Sequence, residues 1–171
     1  MFDGVVFAVI RWVIDQLNRQ LNLVRPVNNS FDKLRSRTFQ FLEERSGEYE
    51  LYISPVVELE VDNCPEPKQS RLIALMQRVR LIRLPENQEV LDLADLYVEQ
   101  NVLAGKHIRD LTHVAYATVA RCDFVVSWNM KHLANPQTIV RANAVNRLNN
   151  YCDTFIVTPL IIIGENYDAG T

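Results

Sequence analysis

The stretch from Ile108 to Leu133 predicts a helix, a tight turn and a buried strand in immediate succession. The helix opens on an acidic residue, Asp110, and the strand ends in the polar cluster Ser127-Trp128-Asn129. A helix that returns the chain directly to a buried strand is typical of α/β proteins, in which ligands bind at helix starts and strand ends. Asp110 and Asn129 are therefore candidate site residues.

Helix and strand patterns alternate along the rest of the chain. The predicted strands are 49–53, 79–84, 124–127 and 155–157, and the predicted helices are 30–45, 68–77, 86–100, 136–149 and a helix that begins at Pro55. Such alternation implies parallel strands joined by right-handed crossovers, with helices on both faces of the sheet. We expect a three-layer α/β/α sandwich with a mainly parallel central sheet.

Two structures compete near the N-terminus. A set of apolar residues follows a helical period: Val6, Ile10, Val13, Leu17, Leu21 and Val24. Alternatively, Trp12-Val13-Ile14 is a buried strand that ends at Asp15, and we favour this interpretation. The apolar stretch 5–14 is too short to span a bilayer and contains Arg11, so we expect neither export nor membrane insertion.

The size and composition predict one soluble globular domain. The 171 residues are 48% apolar and 23% charged, and we place the domain core at about residues 11–160, with 1–10 and 164–171 peripheral. The net charge of −3 gives no sign of a general polyanion binder, although a local basic rim would suffice for RNA. Three cysteines without a C-x-x-C pair fit buried thiols in a reducing cytosol.

Three acidic residues are expected near one edge of the predicted sheet. Asp15 follows the first strand, Glu60 lies in the helix after the second, and Asp110 begins the helix before the fourth. Clustered carboxylates raise one another's pKa unless a cation is present, and oxygen-only ligands favour Mg²⁺ or Mn²⁺ over zinc. Asn129, which follows the fourth strand, could coordinate through its carbonyl oxygen.

Several motifs together resemble a known family. E-L-Y-I-S-P-V-V-E-L-E-V at 50–61, R-D-L-T-H-V-A-Y-A at 109–117 and V-V-S-W-N-M-K-H-L at 125–133 are similar to segments of the PIN domain. The opening R-W-V-I-D at 11–15 also resembles the first strand of that family. The PIN domain is the metal-dependent ribonuclease fold of the toxins in VapBC toxin–antitoxin pairs, and the resemblance extends over about residues 11–160.

The resemblance implies a divalent-metal-dependent endoribonuclease that acts as a cytoplasmic toxin. Asp15, Glu60 and Asp110 would hold Mg²⁺ or Mn²⁺, Asn129 would orient a water or complete the metal shell, and Lys131 and His132 would contact the RNA. Water rather than a side chain would attack the phosphodiester bond. The expected partners are RNA, an antitoxin protein and a second copy of the chain in a homodimer.

Alternatives remain open for the site and for the function. Asp15 is followed by Gln16 where the family has Thr or Ser, and Asp3 is a second candidate for the first carboxylate. Asn129 could instead satisfy backbone groups at the strand end, and His132 could be a structural hydrogen-bonding residue. The rival function is a catalytically silent PIN-like domain that binds protein or RNA. A Rossmann-like nucleotide binder is disfavoured, since no glycine-rich phosphate motif occurs.

Overall fold

The computed structural model describes residues 5–8, 40–127, 129 and 131–163, with residues 5–8, 43, 45 and 163 described by their backbone alone. The strands are β1 Val5–Ala8, β2 Glu50–Ile53, β3 Leu81–Arg83, β4 Phe124–Val126 and β5 Phe155–Val157. The α-helices are α1 Pro55–Asp62, α2 Lys68–Met76, α3 Gln88–Glu99, α4 Ile108–Val119, α5 Pro136–Leu148 and α6 Pro159–Ile163. Shorter helical turns are the π-helical Phe41–Arg45 and the 3₁₀ turns Ser46–Glu48 and Gly105–His107.

The five strands form one sheet in the order β3-β2-β1-β4-β5, and every neighbouring pair is parallel. Phe7 lies opposite Tyr52 on one side of β1, and Ala8 lies opposite Val126 on the other. The strand order reverses at β1, and ligands of open α/β sheets bind beyond the carboxyl ends of the strands at such a point. The prediction of a mixed α/β chain with parallel strands is confirmed.

The first strand does not lie where the sequence predicted it. Val5–Ala8 forms the middle strand, so the assignment of residues 1–10 to the periphery is wrong for these four residues. The alternative of a helix with a period beginning at Val6 is also wrong at Val6. Four successive apolar residues suit a parallel strand buried on both faces, which needs no polar alternation. The predicted strand 12–14 and the candidate acids Asp3 and Asp15 lie outside the described residues.

Most of the other predicted elements lie close to their expected positions, but the predicted helix 30–45 is described only from residue 40 onward, where the chain forms the π-helical turn Phe41–Arg45. β2, β4 and β5 match to within one residue at either end, and α2, α3 and α5 to within two. β3 is shorter than the predicted strand 79–84, and α6 was not predicted. Cys152 is exposed, contrary to the expectation of three buried thiols. None of the helices in the described ranges is long and apolar enough to cross a bilayer.

Apolar side chains of successive strand residues pack into two separate clusters. On β4, Val126 belongs to a cluster with α1, α2 and the π-helical turn, whereas its neighbour Val125 belongs to a cluster with α3, α4 and α5. Ile156 of β5 joins the second cluster, and Val157 packs against the first. Because successive strand side chains point to opposite faces, the sheet has an apolar core on each side.

Replacement of Asn87 tests how firmly α3 is held at its start. The Asn87 side chain accepts a hydrogen bond of 2.9 Å from the backbone N–H of Glu89, as an N-cap residue does. Asn87→Ala should therefore lower the free energy of unfolding by about 1 kcal/mol, measured by urea denaturation. Asn87→Ser retains a capping oxygen and should stay close to wild type; equal losses in the two variants would contradict a capping role.

Candidate functional site

Asp110 lies in the first turn of α4, at the carboxyl edge of the sheet. Its side chain is only 3% exposed, and Nδ1 of His107 lies 3.5 Å from Oδ2. The side-chain amide of Asn129 donates a hydrogen bond of 3.4 Å to the same oxygen. A carboxylate at a helix N-terminus is favoured by the helix dipole, which helps to explain how this charge is accommodated in a buried position.

Asn129 joins the turn after β4 to this carboxylate. Its backbone N–H donates to Oγ of Ser127 at 3.1 Å, and its side-chain oxygen accepts from the backbone N–H of His132 at 3.2 Å. The Asn129 side chain thus satisfies a backbone group just after the strand end, as one of the two interpretations expected. Its amide nitrogen simultaneously reaches Asp110, so Asn129 also orients the carboxylate.

Glu60 approaches the same helix from α1. Its side chain is 11% exposed, and its Oε2 lies 3.6 Å from Nε2 of His113, which is completely buried. His113 follows Asp110 by three residues on α4, and residues three apart lie on one face of a helix. Glu60 therefore lies against the face of α4 that also carries Asp110.

A pair of histidines lies beside Asp110. The rings of His107 and His132 have centroids 4.1 Å apart and are tilted by 36°. Burial and the neighbouring His107 lower the pKa of His132 below its ordinary value, the nearby cations Lys131 and Lys106 lower it further, and Asp110 opposes them. The neutral form of His132 is thus favoured, and both lysines are exposed at the rim of the site.

Three side chains at this site were missed as candidates from the sequence. His107, the N-cap residue of α4, and His113 lie three residues before and after Asp110, and that spacing alone could have marked them as neighbours of Asp110. Ser54 ends β2 and is fully buried, and its hydroxyl has no hydrogen-bond partner in the described part of the chain. Nothing in the sequence distinguishes Ser54 from an ordinary N-cap residue.

The structure separates Glu58 from this group. Glu58 pairs with Arg83 at the sheet edge and is more exposed than Glu60, which is typical of a solvated helix residue. Within the described ranges, no three His, Cys, Asp or Glu side chains are grouped so that they could hold a metal ion. Asp15, the third predicted carboxylate, falls outside those ranges.

Comparison with known proteins returned no relative. No family model, no curated protein and no solved structure matches this chain. The geometry around Asp110 and Glu60 and the motifs in the sequence are therefore the features that bear on function.

Proposed function

We propose that this chain is a PIN-like endoribonuclease that uses Mg²⁺ or Mn²⁺ to hydrolyse RNA phosphodiester bonds. Glu60 and Asp110 hold the cation, and a further carboxylate comes from the N-terminal part of the chain, with Asp15 as the candidate. The single observation that carries this proposal is the placement of two largely buried carboxylates from different elements along one face of α4.

The position of these carboxylates supports a ligand-binding role rather than a purely structural one. Asp110 begins the helix that leads into β4, and β4 borders the strand at which the sheet order reverses. This is where α/β proteins bind ligands.

The donor chemistry of Glu60 and Asp110 fits a hard divalent cation. Carboxylate oxygens are the preferred ligands of Mg²⁺, which keeps several waters and needs only one or two protein carboxylates. When bound, such a cation lowers the pKa of a coordinated water and neutralises charge that develops on a phosphate. Asn129 holds Asp110 in orientation through its amide N–H, and no side chain serves as a covalent nucleophile.

The rim of the site suits an RNA backbone. Lys106 and Lys131 are exposed and lie close enough to His132 to lower its pKa. Lysine contacts with phosphate oxygens position a nucleic acid without reading its sequence. Lys131 and Lys106 would therefore bind the phosphates on either side of the cleaved bond, and the neutral ring of His132 would pack beside them.

The arrangement of the two cores supports the finer description of the fold. The apolar clusters on opposite sides of the parallel sheet, one with α1 and α2 and the other with α3, α4 and α5, favour a three-layer α/β/α sandwich of PIN type. By the same resemblance, the chain would be the toxin of a toxin–antitoxin pair, with an antitoxin protein as its partner and a homodimer as its assembly.

One observation favours the rival function, a catalytically silent PIN-like domain that binds protein or RNA. β1 ends at Ala8, and the next residues are Val9 and Ile10 rather than an acid. The nearest acid beyond that strand is Asp15, seven positions after Ala8. If no carboxylate reaches the end of the central strand, the metal site lacks one of its ligands. The domain would then bind protein or RNA without cleaving it.

Titration with divalent cations separates the two functions. The nuclease proposal predicts that Mn²⁺ or Mg²⁺ raises the melting temperature of the full chain. At a cation concentration of 100 times the dissociation constant, the added free energy of unfolding is about 2.7 kcal/mol. It also predicts RNA cleavage that EDTA abolishes and Glu60→Gln greatly weakens, whereas Glu99→Gln, an exposed change on α3, leaves cleavage intact. Neither a thermal shift nor cleavage with any divalent ion would establish the silent domain instead.

A further inference from the structure

We infer that His113 is a positioning residue: when a divalent cation binds, Nε2 of His113 donates a hydrogen bond to the Glu60 carboxylate and thereby sets the affinity of the site for that cation. This inference rests on the proposed function and names a group that acts through Glu60 rather than on the cation itself.

The surroundings of His113 give it no other role. The residue is 0% exposed, and neither ring nitrogen has a hydrogen-bond partner in the described part of the chain. Buried polar groups are nearly always hydrogen-bonded, so an imidazole in this state needs an explanation. The acidic oxygen that it faces is Oε2 of Glu60, 3.6 Å from Nε2.

The distance between Nε2 of His113 and Oε2 of Glu60 is slightly longer than a hydrogen bond. At 3.6 Å the pair is too far apart for a hydrogen bond, and a shift of about 0.6 Å would bring it to the usual length. Hydrogen bonds in active sites are often long without ligand and tighten when the ligand binds. Carboxylates that ligate metals are in turn hydrogen-bonded, and loss of such a partner typically costs about 10–100-fold in metal affinity.

The chemistry of the two groups assigns the proton. A carboxylate has two oxygens, so Glu60 can accept from His113 through Oε2 while its other oxygen faces the cation. Donation from Nε2 requires a proton on that nitrogen, and the neutral tautomer that carries it there leaves Nδ1 as a buried acceptor. An acceptor without a partner is tolerated more often than a donor without one.

Mn²⁺ affinity of the full chain, measured from the electron paramagnetic resonance signal of free Mn²⁺, tests the inference without reference to RNA cleavage. His113→Leu keeps the volume but removes the donor, and should weaken binding by about 10–100-fold. His113→Gln supplies an N–H and should stay within about threefold of wild type. In a Glu60→Gln background, His113→Leu should have little further effect, because the group it acts through is already gone.

The control is Val114→Ala, which changes the next residue of α4. Val114 is also completely buried, so its truncation destabilises the same helix, but it should leave Mn²⁺ affinity unchanged. Melting temperatures identify any variant that fails to fold.

Three results would overturn the inference. The first is an unchanged Mn²⁺ affinity in His113→Leu, and the second is an equal loss of Mn²⁺ affinity in His113→Gln and His113→Leu. The third is a nitrogen nucleus coordinated directly to Mn²⁺, which would make His113 a ligand. If wild type bound no cation, the proposed function would fail together with the inference. If Mn²⁺ bound with the expected pattern of affinities but no RNA were cleaved, the proposed function alone would fail.

Discussion

Asn146→Ala should lower the free energy of unfolding by about 3 kcal/mol, the largest loss of stability we expect from removal of one polar side chain. Asn146 is completely buried on α5. Its oxygen accepts from the hydroxyl of Tyr97 on α3, and its amide donates to Oγ1 of Thr118 on α4 at 3.4 Å and to the backbone oxygen of Cys152 at 3.4 Å. Truncation leaves these buried groups with fewer partners and opens a cavity.

The state of Tyr97 makes this network sensitive to the loss of a partner. Burial raises the pKa of Tyr97 to about 12, so its hydroxyl remains a hydrogen-bond donor throughout the neutral range. Because the folded-state pKa lies above the ordinary value of 10.0, the stability that it contributes is present in full below pH 10 and is lost as the pH rises towards 12. Near pH 7 the loss of unfolding free energy in Asn146→Ala therefore comes from neutral buried groups that lose a hydrogen-bond partner.

Guanidinium denaturation and thermal melting measure the effect, which should correspond to a fall of about 10 °C in the melting temperature. The matched control is Asn149→Ala, an exposed asparagine at the end of the same helix, with an expected change within about 0.5 kcal/mol. Tyr97→Phe should cost about 1–2 kcal/mol, and combined with Asn146→Ala it should cost less than the sum. Fully additive losses, or a melt of Asn146→Ala that overlays wild type, would contradict a shared network.

The periodic elements were predictable because the spacing of their apolar residues indicates which side of each element is buried. Leu72 and Leu75 on α2, and Val90, Leu93 and Ala94 on α3, recur at helical spacing in the sequence and are buried in the structure. The start of α5 is marked by Asn135, whose side chain caps the helix by accepting from the backbone N–H of Gln137. These elements depend on contacts within a few residues, and a single sequence contains that information.

Long-range features were not predictable in the same way. Val5–Ala8 has no polar alternation, and only its pairing with β2 and β4 makes it a central strand. Lys68 is one of the most buried side chains of the described residues, although a lysine at a helix start is ordinarily exposed. His113 became a candidate only when α1 brought Glu60 against α4. Each outcome depends on which elements meet across the fold.

The candidate site and the polar network share one helix. α4 carries Asp110 in its first turn and Thr118 near its end, and Thr118 bonds Tyr97 and Thr154 at 3.2 and 2.8 Å. Buried hydrogen bonds have strict geometric requirements, so this end of α4 is fixed in register against its neighbours. The carboxylate at the other end is thereby held on a rigid element, as a metal or catalytic group requires.

Asp110→Asn should reduce metal-dependent RNA cleavage by about 100-fold or more and should abolish the rise in melting temperature on addition of Mn²⁺. The substitution keeps the size of a side chain that is nearly inaccessible to solvent and removes its charge. An amide is a much weaker ligand for a hard cation than a carboxylate, and the cation supplies several kcal/mol of charge stabilisation in phosphodiester hydrolysis. Asn129→Ala should have a smaller effect, about tenfold, since Asn129 acts by orienting Asp110.

Cleavage of a labelled RNA under single-turnover conditions, with Mn²⁺ varied, gives the rate and the metal requirement separately. Asp95→Asn is the matched control, because Asp95 is an exposed acid in α3 and its neutralisation should change neither quantity. Circular dichroism and a melt without metal confirm that Asp110→Asn is folded before its rate is interpreted. A folded Asp110→Asn protein that cleaved RNA at the wild-type rate would remove Asp110 from the site, and with it the pair of carboxylates on α1 and α4 that carries the case for a PIN-type nuclease.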